Sequence, residues 1–251
     1  MIDILPIASG SSGNCMLIDM DSKKVLVDLG VAASALLSVL SMNGYLAADI
    51  DAVLITHSHS DHVKGLDACM KRISAPLFMS NTTKATLMRQ DAIALNYNTP
   101  TEILSGLRIT AFPTSHDCPG SVGYLIETEH HRFGYVTDLG VVPNKALELL
   151  SHSDCIVIES NHDEEMLRYG RYPAFLKKRI LSEHGHLSND ACAEAVAWFA
   201  GRGTRHFLLA HLSRENNTPE LALSCAARAV AGMDVCLNVL PMAGERTLHI
   251  L

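Results

Sequence analysis

The amino-acid sequence predicts an α/β fold built as one domain across residues 1–251. Two kinds of segment alternate along the chain. Short apolar or alternating runs are typical of strands, and the stretches between them have apolar residues at helical spacing. The 251 residues are 48% hydrophobic and 19% charged, which is the balance of a globular protein with a sizeable core. No repeat, low-complexity tract or linker divides the chain. We expect paired strands at the start, followed by strand–helix units.

The predicted strands are short runs that end at polar or glycine-containing turns. In chain order they cover 2–7, 14–20, 24–29, 52–55, 76–79, 107–112, 122–128, 131–137, 155–158 and 206–210, and two terminal strands complete the set. The runs 122–128 and 131–137 are close enough in sequence to form a hairpin.

The predicted helices cover 31–43, 65–72, 81–90, 143–150, 188–200 and 218–231. The first is expected to stop at Asn43-Gly44, because these residues reach the left-handed conformation that ends helices. The helix at 188–200 carries an apolar stripe at helical spacing, made of Cys192, Ala195, Val196 and Phe199. Ser188 stands in position to cap its amino end.

The stretch Thr56-His57-Ser58-His59-Ser60-Asp61-His62 follows directly on the predicted strand 52–55. In an extended chain alternate residues point to the same side, so His57 and His59 can grip one ion together. Ser60 and Asp61 are poor strand formers, so the chain is expected to turn and send Asp61 and His62 elsewhere. Imidazole and carboxylate suit zinc, manganese or iron, and two ions about 3.5–4 Å apart can clamp both oxygens of a displacement.

Three further candidate ligands, His116, Asp138 and His211, each come just after a predicted strand. Ligands at strand ends meet on one rim of a sheet, where the scaffold holds them rigidly. Either histidine alone would more often be an ordinary polar residue. Together with the first motif they predict one metal centre.

The pattern His-x-His-x-Asp-His after an apolar strand resembles the signature of the metallo-β-lactamase fold superfamily. The resemblance implies a four-layer αβ/βα sandwich and a metal-dependent hydrolase with two divalent ions, Zn²⁺ or Mn²⁺. It implies one ion on a first triad and another on a second triad, with Asp138 bridging them. These triads are His57, His59 and His116, and Asp61, His62 and His211. Asp61 is also expected to be catalytic. Asp138 departs from the zinc β-lactamases, which commonly carry Cys at the bridging position.

Segments along nearly the whole chain are similar to the bacterial YycJ/WalJ family. They are 8–15, 113–117, 134–140, 159–163, 185–189 and 209–217. The resemblance implies a DNA exonuclease acting 5′ to 3′, in a setting such as repair. A more distant resemblance, to ribonuclease Z, covers Glu159 and His186 and implies that His186 is a general acid oriented by Glu159. The alternative is that Gly185-His186 simply precedes the cap of the helix that starts after Ser188.

Two regions are candidates for substrate binding. The turn that contains Ser11 and Ser12 can present backbone N–H groups to a phosphate, although a purely structural turn is the alternative. Segment 168–179 has five basic residues, among them Arg171, Lys177 and Lys178, no acidic residue and three aromatics. Such a segment suits unpaired bases and phosphates, and the alternative is an amphipathic helix with an ordinary solvated basic face.

Charge and cysteine content constrain the setting. A net charge of −7 is unusual for a nucleic-acid protein, although two dications would offset it locally. Seven scattered cysteines without a Cys-x-x-Cys pair suggest reduced, mostly buried thiols. No apolar run approaches membrane-spanning length and no signal peptide is seen at the N-terminus, so we expect a cytoplasmic protein. DNA is the expected partner, and no obligate protein partner is inferred.

Two other functions stay open at this point. One is a small-molecule metallo-hydrolase, such as a cyclic phosphodiesterase or a glyoxalase-type thioesterase. The other is a non-catalytic interaction protein on a retained fold, which the complete set of candidate ligands argues against.

Overall fold

The computed structural model describes residues 1–240 and 247–251. Two seven-stranded sheets pack face to face, and helices cover their outer faces. In chain order the strands are β1 (Ile2–Ala8), β2 (Cys15–Met20), β3 (Lys23–Val27), β4 (Ala52–Leu54), β5 (Leu77–Ser80), β6 (Ile93–Leu95), β7 (Thr101–Leu104), β8 (Leu107–Pro113), β9 (Val122–Glu127), β10 (Arg132–Val136), β11 (Cys155–Glu159), β12 (His206–Ala210), β13 (Cys236–Val239) and β14 (Leu248–His249).

The helices are mostly short. They are α1 (Ala33–Met42), α2 (Ser60–Val63), α3 (Leu66–Met70), α4 (Asn81–Thr86), α5 (Asn144–Leu150), α6 (Glu164–Tyr169), α7 (Ala174–Ile180), α8 (Asn189–Ala200) and α9 (Pro219–Ala229), with a 3₁₀ turn at Ala47–Asp49. Ser188 caps α8 as predicted, because its side chain accepts a hydrogen bond from the Ala191 N–H. None of the helices in the described ranges is long and apolar enough to cross a membrane.

Each sheet is half antiparallel and half parallel. The first has the order β14-β1-β2-β3-β4-β5-β6 and the second β13-β12-β11-β10-β9-β8-β7. Strands β3 to β6 run parallel in the first sheet, and β10 to β13 run parallel in the second. Parallel strands place their carboxyl ends on one edge, so the polar residues after β3, β4, β10, β11 and β12 share a rim.

Three hydrophobic clusters separate the layers. The inner cluster joins residues of both sheets, such as Leu54 on β4 and Val157 on β11. A second packs the outer face of the first sheet against α1 and α3, and a third packs the other sheet against α5, α8 and α9. The order helix, sheet, sheet, helix confirms the predicted four-layer αβ/βα sandwich.

Most predicted elements are confirmed, with the differences concentrated at ends and in polar segments. The strand predicted for 24–29 ends at Val27, because Asp28 turns the chain with φ +61°. Strands β6 and β7 and helix α6 were missed, since their short sequences lack a clear apolar period. The thiols are free, and six of the seven cysteines are buried as expected, with Cys236 exposed.

Close backbone contacts lock the loops beneath the rim. A Cβ on Gly30 would lie 1.7 Å from the Asp61 carbonyl oxygen, so no other residue fits there without displacing the histidine motif. A Cβ on Gly13 would meet the Gly30 carbonyl oxygen at 2.4 Å. The Asn14 N–H donates to the Asp61 carbonyl at 2.8 Å in the same contact. The turn after β1 and the histidine motif therefore form one packed unit.

The Tyr124 hydroxyl ties the second sheet to the start of the histidine motif. It is fully buried and donates to the Ile55 carbonyl oxygen at 2.5 Å. We predict that Tyr124→Phe lowers the free energy of unfolding by about 1–3 kcal/mol, because a buried carbonyl loses its hydrogen-bond donor. Urea unfolding at a fixed metal concentration measures the change.

The matched control is Tyr169→Phe, since Tyr169 is 87% exposed. That substitution should change stability by less than about 0.5 kcal/mol. Equal effects of the two substitutions would show that the buried hydrogen bond adds no more to the free energy of unfolding than an exposed hydroxyl does.

Candidate metal centre and cleft

The histidine motif starts where β4 ends. His57 and His59 lie in the extended loop after the strand, and Asp61 and His62 lie in the short helix α2. The turn expected at Ser60 is therefore a helical one, with His59 at the position before the helix. The change of backbone direction separates the motif into two pairs of side chains, as the spacing indicates.

The first triad brings three imidazole nitrogens together. His57 Nε2 lies 3.1 Å from His59 Nδ1, and His116 Nε2 lies 3.3 Å from the same atom. A tetrahedral zinc site with metal–nitrogen bonds of about 2.0–2.1 Å separates its ligand nitrogens by about 3.3 Å. The spacing of these nitrogens fits a divalent ion.

Hydrogen bonds fix the tautomers of His57 and His116. The Thr56 hydroxyl donates to Asp28, so its oxygen is left to accept from His57 Nδ1 at 3.0 Å. The Gly185 carbonyl accepts from His116 Nδ1 at 3.1 Å. Each ring then keeps an unprotonated Nε2 that faces the other triad members, which is the form that binds metal.

The second triad is arranged in the same way. His62 Nδ1 donates to Asp28 at 2.7 Å and His211 Nδ1 donates to Glu159 at 2.8 Å. Their Nε2 atoms lie 3.5 Å and 4.0 Å from Asp61 Oδ2. Both rings thus present Nε2 to a common point beside the Asp61 carboxylate.

Asp138 lies between the two triads. Its Oδ2 is 3.4 Å from His62 Nε2, and its Oδ1 is 4.0 Å from His116 Nε2. Asp138 Oδ2 and His211 Nε2 are buried and have no hydrogen-bond partner in the described part of the chain. Buried polar atoms are rarely left unpaired, so these two atoms fit the role of metal ligands.

Electrostatics favour positive charge at the same place. Burial disfavours a charged His62, yet the carboxylates of Asp28, Asp138 and Asp61 raise its pKa to about 9. Burial opposes ionisation of Asp61, but the neighbouring imidazoles of His211 and His62 lower its pKa to about 2. Burial and neighbouring imidazoles lower the pKa of His57, which leaves that ring neutral. The carboxylates therefore attract cations, and His57 is ready to bind one.

Glu159 serves as an anchor. It is fully buried, and its Oε1 accepts from His186 Nδ1 at 2.7 Å and from His211 Nδ1. Its Oε2 accepts from the backbone N–H groups of Leu139 and Leu187. Burial raises the pKa of Glu159, but the charges and hydrogen bonds of His186 and His211 together outweigh it and lower the pKa below its usual range. With four donors on its oxygens, Glu159 orients the two histidines and has little capacity left for metal.

A cleft of about 270 Å³ opens over the two triads. Its lining includes Ser11 and Ser213 from two loops, and Leu176, Arg179 and Ile180 from α7. The cleft residues are Ser11, His59, Asp61, Asp138, Asn161, Tyr172, Leu176, Arg179, Ile180, His186, His211 and Ser213. Its volume is just below the roughly 300–1,000 Å³ that is typical of small-molecule sites.

The predicted substrate residues fall in different places. Ser11 lines the cleft, and Ser12 stands beside it and accepts from Arg214 at 2.8 Å. Arg171 and Lys178 are exposed outside the cleft, and Lys177 donates to the Arg168 carbonyl at 2.7 Å. The basic segment thus supplies only its Tyr172, Leu176 and Arg179 to the cleft wall.

Sequence reasoning missed two buried residues that hold the site. Asn14 Nδ2 lies 3.0 Å from His62 Nε2 and 3.3 Å from Asp61 Oδ2. Asp28 accepts hydrogen bonds from His62 Nδ1 and from the Thr56 backbone N–H. The only available signal was the position of Asp28 at the end of a predicted strand, which it shares with the ligands.

Residues 24–212 match the family described as the beta-lactamase superfamily domain. The exodeoxyribonuclease YycJ of Bacillus anthracis is 34% identical over 227 residues, covering 86% of this chain and 84% of the relative. The exodeoxyribonuclease WalJ of Streptococcus pneumoniae is 34% identical over 241 residues, covering 93% and 90%.

A solved structure gives the same fold. The metallo-β-lactamase fold protein YhfI from Bacillus subtilis superposes with a TM-score of 0.75 at 17% identity, covering 98% of both chains. The family match spans most of this chain, and both relatives align over nearly their whole length. The chain therefore belongs to the β-lactamase superfamily and, within it, to the YycJ/WalJ-like family.

Proposed function

We propose that this protein is a dinuclear metal-dependent phosphodiesterase that removes nucleotides from the 5′ end of DNA, in a setting such as repair. Family membership makes it a metal-dependent hydrolase. Two relatives named exodeoxyribonucleases support the DNA substrate. The position of Asp138 carries the dinuclear proposal, because its two carboxylate oxygens face different triads.

Each triad would hold one divalent ion, Zn²⁺ or Mn²⁺, and Asp138 would be available to both. A bound pair of such ions supplies a nucleophilic water at neutral pH and neutralises charge on phosphoryl oxygens. The chain's contribution is to hold the ligand atoms in place before the substrate arrives. Asp28 and Glu159 do this through the Nδ1–H groups of His62 and His211.

His186 is proposed to protonate the leaving oxygen. Its ring is partly exposed in the cleft, and Glu159 holds its Nδ1 at 2.7 Å. That bond directs the opposite nitrogen of the ring away from Glu159, where it can deliver a proton to a departing alkoxide. Glu159 acts through His186 and is a positioning residue.

The basic segment is proposed to guide the DNA strand. Tyr169 and Phe175 are 87% and 75% exposed, so both rings are available to stack on bases. Arg171 and Lys178 form no ion pair with any residue of the described ranges. Unpaired cations next to exposed aromatics suit a flexible single strand.

A small-molecule phosphodiesterase is the competing function. The modest volume of the cleft favours it, since a small phosphodiester fits as well as a terminal nucleotide. Digestion of DNA, compared with hydrolysis of a small phosphodiester, distinguishes the two functions.

We predict stepwise release of nucleotides from the 5′ end of a labelled duplex in Mn²⁺ or Zn²⁺. Asp138→Ala should reduce the rate by more than about 100-fold, because even changes outside the ligand set of a metal site cost about 10–100-fold. Metal analysis should show fewer bound ions per chain than in the wild type. Asp234→Ala is the matched control, since Asp234 is an exposed carboxylate.

Release from the 3′ end would overturn the polarity. Hydrolysis of a small phosphodiester without any action on DNA would move the assignment to the competing function. Full activity in a chain that binds one ion would reject the dinuclear proposal.

We predict that His186→Gln lowers kcat on DNA by about 10²–10⁴-fold, the usual contribution of general acid catalysis. The loss should be much smaller for bis(p-nitrophenyl) phosphate, because nitrophenolate leaves without a proton. The nearby exposed His184 provides the control His184→Gln. Equal losses on both substrates would reject a proton-donating role.

We predict that Arg171→Gln combined with Lys178→Gln weakens binding to single-stranded DNA. The slope of log K against log salt should fall by about 0.7 for each phosphate that the segment no longer neutralises. Fluorescence anisotropy between 50 and 200 mM salt measures both quantities. The control pair Lys71→Gln and Arg72→Gln removes the same charge beyond the end of α3. If the salt slope is unchanged in the test pair, the basic segment does not bind DNA and is an ordinary solvated surface.

A further inference from the structure

Two cationic side chains from distant parts of the chain meet at Ser12. Lys64 Nζ donates to the Ser12 carbonyl at 2.5 Å. Arg214 Nη2 donates to the Ser12 hydroxyl at 2.8 Å. Lys64 follows the histidine motif and Arg214 follows His211, so each cation is close in sequence to a candidate metal ligand.

No acidic side chain of the described ranges pairs with Lys64 or Arg214. Other basic residues near the cleft differ, since Arg179 pairs with Asp117 and Arg168 pairs with Glu164. Like charges that converge repel each other unless an anion lies between them. The pair therefore has spare positive charge and most of its donors unused.

The turn around Ser12 adds backbone donors to the same place. The N–H groups of Ser11 and Ser12 have no acceptor among the residues that the structure describes. Successive free N–H groups in a glycine-flanked turn form a concave site that favours anions. Charged side-chain donors and free backbone donors are therefore found at the same turn.

The turn is held rigidly. Ser9 Oγ accepts from the His211 N–H at 3.0 Å, and Asn14 Oδ1 accepts from the Gly10 N–H at 2.8 Å. The Gly13 N–H donates to the Gly10 carbonyl at 2.9 Å. Rigid donors bind an anion without losing conformational freedom on binding.

The group lies at the edge of the cleft. Ser11 and Ser213 line the cleft with Asp61 and His211, and Ser12 and Arg214 are their next neighbours in the chain. An anion held there would lie beside the cleft that contains Asp61, Asp138 and His211. Nucleic acids carry such phosphates at every nucleotide.

We propose that Lys64, Arg214 and the Ser11–Ser12 turn bind a second phosphate of the substrate, next to the one that is cleaved. The inference rests on the proposed function and names the contact that selects polynucleotides over small phosphodiesters. The phosphate comes either from the strand's 5′ end or from its backbone. A terminal phosphate is a dianion and a backbone phosphate a monoanion, but both offer anionic oxygens to these donors.

The test compares Lys64→Gln/Arg214→Gln with the control pair Lys71→Gln/Arg72→Gln. Charge-assisted hydrogen bonds are worth enough that kcat/KM for an oligonucleotide should fall at least about tenfold further than kcat/KM for bis(p-nitrophenyl) phosphate. Anisotropy in the Asp138→Ala background should show a Kd at least about tenfold higher and a salt slope reduced by about 0.7. A circular dichroism spectrum checks that each variant is folded.

Oligonucleotides with a 5′-phosphate or a 5′-hydroxyl identify the source of the anion. A defect confined to the phosphorylated strand supports a terminal phosphate, and an equal defect on both supports a backbone phosphate. Parallel losses on DNA and the small ester, with Kd and salt slope unchanged, would overturn the inference. If the wild type binds but does not digest DNA, and the variant binds it more weakly, the second phosphate site stands while the proposed exonuclease function falls.

Discussion

Asp28 and Glu159 are fully buried carboxylates, and the geometry of the metal centre depends on the hydrogen bonds they accept. Each one holds the Nδ1–H of a histidine, so that the Nε2 atom faces the centre. Removing either would leave a buried imidazole free to rotate or change tautomer. Burial opposes a charge on His62, yet Asp28 and the neighbouring carboxylates raise its pKa. Together the two carboxylates set both the shape and the sign of the site.

The sandwich makes this arrangement possible because it brings the carboxyl ends of parallel strands from both sheets to one rim. Asp28 and the histidine motif follow β3 and β4 in the first sheet. Asp138, Glu159 and His211 stand at the ends of β10, β11 and β12 in the second. At this rim Gly13 lies against the Gly30 carbonyl and Asn14 Nδ2 lies 3.0 Å from His62 Nε2, so the turn after β1 packs directly on the loops that follow β3 and β4.

The sequence was sufficient to predict the fold class and to bring out candidate ligands, because apolar strands and closely spaced histidines leave periodic or clustered signals. It was not sufficient for Asp28 or Asn14, since their importance comes from partners far away in sequence. The basic segment shows the same limit. Its composition was visible, but only the structure shows that Arg179 is paired with Asp117 while Lys64 and Arg214, which have no composition signal, converge on Ser12.

The hydrogen bond from the His211 N–H to Ser9 Oγ joins residues 202 positions apart. During synthesis the histidine motif leaves the ribosome long before Asp138 and His211, so the early chain carries only part of each ligand set. The full coordination environment forms when the late strand β12 docks beside the first turn. The candidate ligands therefore come together only in the completed fold.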